Sequence, residues 1–454
     1  ANQTEGSVLK YRKTPGKLRS LLLPMNVNSW QIMVRSKDKL NNPTYIVSTI
    51  IQPHNFNPEN IVFFQMAQDT ANGDCAPSYA LQYGASMSTL YNQLETVPLQ
   101  LVLSKGWTIV APDYQGPYSY WPGGKQTGYA TLDSIRGVLQ TNGFTGLSED
   151  AKVICWGYSG GTIPTSWTSA LIDEYPDIQD NLIGAVLGGY IANFTATAFA
   201  NEGSLYAGLV ASAIAGLIKQ YPKLDEYVRE ELSPQRYQEL LYASDNCLIP
   251  VIRKFKWHKF FLGTGDKLWS KSGFEILRNK VFLDIVEELT LGATKDSTLP
   301  KVPLFMYHGK NDDILPWEAT QKTYENWCEW GVESIEFFTD SISGHITGLL
   351  YSAPAVVKWM SDRFDGVEPV KGCKSLNKFT FLKYPNTTKE VFHYGLASVK
   401  SFAGFKVGPT DVLEEIYQIP GSIFASTKSF IFSFSTPTIV YNRIQNYIGK
   451  ITVQ

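Results

Sequence analysis

Residues 153–167 read VICWGYSGGTIPTSW, and the reading of this stretch decides the fold. The apolar run Val153–Gly157 leads into Gly157-Tyr158-Ser159-Gly160-Gly161, a serine in Gly-x-Ser-x-Gly spacing, and helix-compatible sequence follows to Leu171. Three such fixed positions recur by chance in about one chain in seven of this length, so the context has to decide. A strand that turns sharply into a helix exposes a hydroxyl at the strand's carboxyl end, the geometry of a nucleophile elbow. Gly157 and Gly161 remove side chains where strand and helix crowd together. Gly160, next after the serine, is then placed to offer a backbone N–H to an oxyanion.

Outward from this point, short apolar runs alternate with helical stretches. Tyr45–Ile51, Ile61–Met66, Trp107–Asp113, Ile183–Gly189, Val302–Gly309 and Ser334–Asp340 read as further strands, and Thr131–Thr141 and Trp317–Trp330 as helices. The alternation predicts parallel strands with crossover helices, an α/β sheet. The interval from Gly189 to Val302 is far longer than one crossover helix needs. Residues 193–298 therefore read as an inserted, mainly helical cap or lid, with a buried helix in Gly203–Ile218 and a charged helical segment over Lys223–Leu241. Beyond Asp365 the segments KGCKSLNKFT, KEVFHYG and FIFSFSTPTIVYN carry β-branched and aromatic residues without helical periodicity. The resulting organisation is a core of residues 1–192 and 299–365, a cap of 193–298, and a C-terminal extension of 366–454 that packs on the core as strands or as a flap over the site.

A serine hydroxyl is a poor nucleophile until a base removes its proton. Five histidines are available. His54 precedes the main run of strands, His258 lies in the cap, His308 falls within a strand and His393 in the C-terminal segment. His345 sits in the glycine-flanked loop DSISGHITG just past the last core strand, from which it can reach back over the sheet edge. The base needs a carboxylate to fix its tautomer, and HGKNDDILPW supplies Asp312 and Asp313 right after a strand. Asp312 is favoured, on the turn with Ile314 and Pro316 packing behind, and Asp313 is expected to face solvent. The chain order Ser159, Asp312, His345 is that of α/β-hydrolases.

Composition sets bounds. The chain has 454 residues, 44% of them hydrophobic and 13% aromatic, so a large packed core is expected. With 40 basic against 42 acidic side chains, a net charge of -2 and no evident Lys/Arg cluster, nucleic acid is not the expected partner. No run is long enough to span a membrane. Ala1 opens the chain without a charged segment and apolar run, which reads as a processed N-terminus. Asn2, Asn193 and Asn386 head glycosylation sequons. Of five cysteines, Cys155 lies in an apolar run and reads as a buried free thiol. Two bridges among Cys75, Cys247, Cys328 and Cys373 would fit an oxidising compartment, with three pairings open; five reduced cysteines is the competing reading. No spacing suits a metal, and the serine chemistry requires no metal or organic cofactor.

The segments DTANGDCAPSYA, GWTIVAPDYQG, LDSIRGVL, GYSGGT, DNCLIP, HGKNDDILP and SGHITG, in order from residue 69 to 348, resemble the fungal secretory lipase family. The resemblance implies an α/β-hydrolase core with a cap, secretion to the cell exterior, and triacylglycerol or other fatty-ester substrates met at a lipid–water interface. It also implies the bridges Cys75–Cys247 and Cys328–Cys373, and Asp69 as the second oxyanion residue. The glycine-rich segment that serves many esterases there is absent; FFQMAQDTANGDC stands in its place. A carboxylate beside a developing negative charge must donate through its backbone, turn away, or stay protonated through burial, and the last is the expectation here. Other functions compatible with the same elements are a broader carboxylesterase or acyltransferase, a peptidase, and a non-catalytic lipid-binding or adhesion protein.

Overall fold

The strand formed by Lys152–Tyr158 sends its side chains alternately into two separate cores. Val153 and Cys155 join one cluster with Ile163 and Trp167, while Ile154 and Trp156 join another with Val357 and Trp359. Burial on both faces with a period of two marks the centre of a helix-covered sheet. The computed structural model describes residues 3–264 and 269–409. Their strands are β1 (Val8–Lys13), β2 (Arg19–Ser20), β3 (Leu23–Pro24), β4 (Asn28–Lys37), β5 (Pro43–Gln52), β6 (Asn60–Gln65), β7 (Thr108–Pro112), β8 (Lys152–Tyr158), β9 (Leu182–Gly188), β10 (Leu304–Gly309), β11 (Ser334–Asp340) and β12 (Gly372–Lys378). Ten of these form one sheet in the order β1-β4-β5-β7-β6-β8-β9-β10-β11-β12. From β7 to β12 all neighbours run parallel; β5 is antiparallel to β7, and β4 and β1 continue antiparallel outward. This is the mixed sheet and helical cover of an α/β-hydrolase. The antiparallel wing departs from the parallel sheet expected. Its outermost strand, VLKYRK, is largely exposed and lysine-rich, the composition of a protected edge rather than of a core strand.

Three local readings need correction. The helix expected over Thr131–Thr141 spans Lys125–Leu139, and Asp133 lies buried in its middle rather than near its start. The charged stretch Lys223–Leu241 is divided between two helices, Pro222–Glu231 and Pro234–Asp245. The break follows from local chemistry: the Ser233 side chain accepts from Arg236 N–H and Pro234 occupies the first turn. The third lies in the C-terminal segment. KGCKSLNK forms β12 at the sheet edge, but KEVFHYG begins the helix Thr388–Phe402, which packs against Thr96–Ser104 and Ala353–Phe364. The buried positions of this helix are Glu390, Ala397 and Ser401, a stripe of helical spacing made of small and polar residues, so hydropathy does not show it. Glu390 pairs there with Lys105 at 3.3 Å. The segment FIFSFSTPTIVYN lies outside the described residues.

Between β9 and β10, helices Phe194–Asn201, Gly208–Gln220, Pro222–Glu231, Pro234–Asp245, Leu248–Phe255 and Lys280–Leu289 contribute to a hydrophobic cluster of their own, with Val210, Leu224, Leu240, Val251 and Phe255 fully or almost fully buried. The Cys75–Cys247 disulfide ties this helical segment to the loop after β6. Beside it Thr70 Oγ1 donates to Asn246 O (2.7 Å) and Lys219 Nζ to Ala71 O (2.9 Å). A second disulfide, Cys328–Cys373, joins the helix Trp317–Glu329 to β12, and Cys155 is a buried free thiol.

Two carboxyl groups are enclosed in this scaffold. Asp113 accepts from Ser78 N (2.8 Å) and Ser78 Oγ (2.5 Å), and burial pushes it up to about 7. Asp133 accepts from Ser36 Oγ (2.6 Å) and Tyr175 Oη (3.0 Å), and burial pushes it up to about 6. Both lie above the ~4 of an unfolded chain, so between these values the folded protein holds protons that the unfolded chain has released. Their stabilisation is complete below pH ~4 and is lost as pH rises through 6 to 7. The melting temperature is therefore expected to fall by several degrees from pH 5 to pH 8, with a shallower fall in Asp113→Asn. Calorimetry at the two pH values checks this, and a flat profile would contradict it.

Candidate active site

The turn after β8 is built by close backbone approach. A Cβ on Gly157 would meet Gly161 O at 2.1 Å, and one on Gly161 would meet Gln65 O, at the end of β6, at 1.8 Å. With both positions clear, the helix Thr162–Leu171 starts directly behind the strand. Ser159 is left with φ 52°, a left-handed conformation unfavourable for a residue with a Cβ. Asp69, in the loop after β6, has φ 52° as well. The carboxyl of Asp69 lies against Gly160: a Cβ on Gly160 would fall 1.8 Å from Asp69 Oδ1. That oxygen is buried without a hydrogen-bond partner. Burial pushes Asp69 up to about 7, and the charge of His345 opposes this only in part.

Asp312 and His345 come together directly. His345 Nδ1 and Asp312 Oδ2 are 2.8 Å apart with both side chains buried. Asp312 Oδ1 accepts from Ile314 N (2.9 Å) and Leu315 N (2.8 Å). Burial disfavours the Asp312 carboxylate, yet His345 and His308 hold it well below the usual carboxylate range. Burial pulls the His345 imidazolium down, and the Asp312 carboxylate more than offsets this, leaving His345 raised. Asp313 is exposed, and its Oδ1 accepts the backbone N–H of His345 (3.1 Å). His345 Nε2 is buried with no hydrogen-bond partner, while the Ser159 hydroxyl is within hydrogen-bonding reach of Tyr91. Asp312 and His345 are thus joined to each other, and no hydrogen bond joins the Ser159 hydroxyl to His345.

Of the supporting residues, Tyr158, Asp340 and Glu95 carry no sequence signal of their own. Tyr158 Oη donates to His345 O (2.6 Å) and its ring lies 5.1 Å from the imidazole. Asp340, at the end of β11, accepts from Ile342 N, Ser343 Oγ and Phe381 N and so folds the loop carrying His345. Glu95 is buried, accepts Ala67 N–H at 2.9 Å, and is pushed up by burial and by the nearby Asp69. His308, passed over because it falls inside a strand, lies 3.2 Å from Asp312 Oδ2. The spacing His-Gly-x-x-Asp in HGKNDDILP was the available signal.

Ser159 and Asp69 open into an apolar cavity of about 80 Å³ between the sheet and the helical segment. Trp121, Phe194, Leu217, Phe261 and Leu315 are among its walls. Among the described residues no His/Cys/Asp/Glu cluster has the makings of a metal site, and no helix is long and apolar enough to cross a membrane.

A family model for secretory lipases matches residues 81–372. Lipase 1 of Candida albicans is 41% identical over 89% of this chain and 86% of its own length. Lipase A of Arthroderma benhamiae is 32% identical over 91% of this chain and 87% of its own. The solved closed-state structure of Candida antarctica lipase A superposes with a TM-score of 0.75 at 23% identity, covering 89% of this chain and 94% of that one. The rice cell wall degrading esterase LipA of Xanthomonas oryzae gives a TM-score of 0.54 at 14% identity over 80% of this chain and 97% of its own. At such identities the two solved structures speak for the fold alone. The family match over well over half of the chain, and relatives along nearly all of it, make this chain a member of the secretory lipase family.

Proposed function

We propose that this lipase is a secreted enzyme that hydrolyses triacylglycerols and other fatty-acid esters through an acyl-enzyme on Ser159. The observation that carries the mechanism is the buried 2.8 Å contact between Asp312 and His345, together with Ser159 held at φ 52° on the turn after β8. In this reading Ser159 Oγ turns from Tyr91 toward His345 Nε2, gives up its proton and attacks the ester carbonyl. Asp312 holds the imidazole in the Nδ1–H tautomer and stabilises the imidazolium. The tetrahedral oxyanion takes one hydrogen bond from Gly160 N–H and one from Asp69, which below pH ~7 is a neutral acid able to donate. His345 protonates the departing alcohol, and water then releases the fatty acid by the same route in reverse.

The apolar cavity supports a fatty acyl chain rather than a peptide as the bound group. Its volume of about 80 Å³ is below the roughly 150 Å³ that admits a single benzene. A long acyl chain therefore requires the helices 194–289 to move as a lid, and a lipid–water surface that takes up their apolar faces favours that movement. Membership of a secretory family and two disulfides, which persist in oxidising compartments, support secretion.

Three measurements test this reading. Ser159→Ala is expected to lower kcat by ~10⁴ or more while lipid binding persists; undiminished turnover would remove Ser159 from the mechanism. Asp69→Asn, assayed for kcat against pH, is expected to keep appreciable activity at pH 5 and to lose the decline that the wild type shows above pH 7. A decline in the variant parallel to the wild type would exclude Asp69 as the titrating donor. On a chain-length series of nitrophenyl esters, acetate turnover should be indifferent to detergent micelles, and palmitate turnover should rise steeply once micelles form. Equal responses for both would show that the lid does not gate the acyl site.

A further inference from the structure

The strand residue His308 is completely buried and stands behind the acid of the site. Its Nε2 lies 3.2 Å from Asp312 Oδ2 and 3.2 Å from Leu315 O, both acceptors, so this nitrogen carries a proton. Its Nδ1 lies 2.9 Å from Thr320 Oγ1, which is in turn 3.0 Å from Tyr190 O. The Thr320 hydroxyl has one proton and two places to put it. If it donates to His308 Nδ1, the histidine is neutral; if it donates to Tyr190 O, the histidine is an imidazolium. Nε2–H is a donor in both states. The Asp312 carboxylate accepts from His345 on Oδ2 and from the Ile314 and Leu315 amides on Oδ1, and His308 Nε2 stands as a fourth nitrogen 3.2 Å from Oδ2.

We propose that His308 is a positioning residue of the reaction, its Nε2–H holding Asp312 Oδ2 ionised and aimed at His345 Nδ1. The inference rests on the reading of Asp312 as the acid of the triad. The bond to Leu315 O extends the same hold to the wall of the acyl cavity, which Leu315 lines. The groups that share this electrostatic environment are His345, Asp313, Asp69, Tyr91, Tyr158 and Tyr206. None of the three tyrosines is a cation at any pH, and the two aspartates bear on His345 in the same sense as Asp312. The side chains whose nitrogens stand within 3.2 Å of Asp312 Oδ2 are His345 and His308. Without His308, the Asp312 charge is less spent and falls more fully on His345, which then keeps its proton to higher pH and is unavailable as a base.

The test compares His308→Leu with His308→Gln, whose amide N–H can replace Nε2–H, on a soluble short-chain ester. For His308→Leu, kcat is expected to fall about tenfold or more, yet well short of the ~10⁴ lost when the carboxylate of such a triad becomes an amide. KM should stay unchanged and the acid limb of kcat should move to higher pH. His308→Gln should recover most of the rate and return the limb toward its original position. Wild-type rate in His308→Leu, or equal loss in both variants with an unmoved limb, would overturn the proposal. Should His308→Leu fail to fold, ¹⁵N-histidine NMR of the wild type decides: His308 Nε2 must carry a proton from pH 5 to pH 8, and a bare Nε2 would overturn the proposal. Asp312→Asn separates the two layers. An active Asp312→Asn would sink the triad reading itself, whereas an inactive one beside a normal His308→Leu would sink only the role of His308.

Discussion

The site depends on how closely the helix Thr162–Leu171 approaches the ends of β6 and β8. Gly157 and Gly161 have no room for a methyl group, because Gly161 O and Gln65 O occupy the places where Cβ atoms would stand. That approach forces the intervening serine into a left-handed conformation, which for a residue with a Cβ costs on the order of 1–3 kcal/mol. The cost is offset by the cores on either side of β8, where Phe63, Phe64, Trp156 and Trp167 are buried. A well-packed sheet thus holds a strained serine at its edge, and the strain presents the hydroxyl to the cavity.

Around that serine, two buried carboxyl groups meet opposite fates for a stated reason. Asp312 is surrounded by donors on both oxygens and remains ionised despite burial. Asp69 is equally enclosed, but its Oδ1 finds no donor, and burial pushes it up to about 7. The charge and hydrogen bonds of His345 and His308 at Asp312, rather than depth, separate the two. One pocket region thus holds an ionised carboxyl paired with His345 and, against Gly160, a carboxyl that burial pushes toward its neutral form.

The helical segment over the cavity is tied down on the side of Asp69. The Cys75–Cys247 bridge, the bond from Thr70 to Asn246 and that from Lys219 to Ala71 all join it to the loop after β6. These ties all lie on one side of the segment; on the cavity side the helix Lys280–Leu289 contributes Phe282 and Val286 to the lining.

Local sequence by itself determined much of this. The strand–turn–helix chemistry of VICWGYSGG, the apolar runs of the parallel strands, the long interval before Val302, and Asp312 and His345 just beyond strand ends are properties of short segments, where periodicity and turn residues carry the information. Tertiary structure decided what depends on a partner distant in the chain. The exposed wing strand β1 and the helix Thr388–Phe402 with its stripe of Glu390, Ala397 and Ser401 have no hydropathy pattern, because their burial is defined only by what packs on them. Whether Asp69 is neutral and which oxygen of Asp312 His345 meets are likewise set by groups that the fold brings in from elsewhere, or fails to bring. A hydrogen bond has direction and length as well as chemical identity, and these exist only once the sheet has brought its ends together.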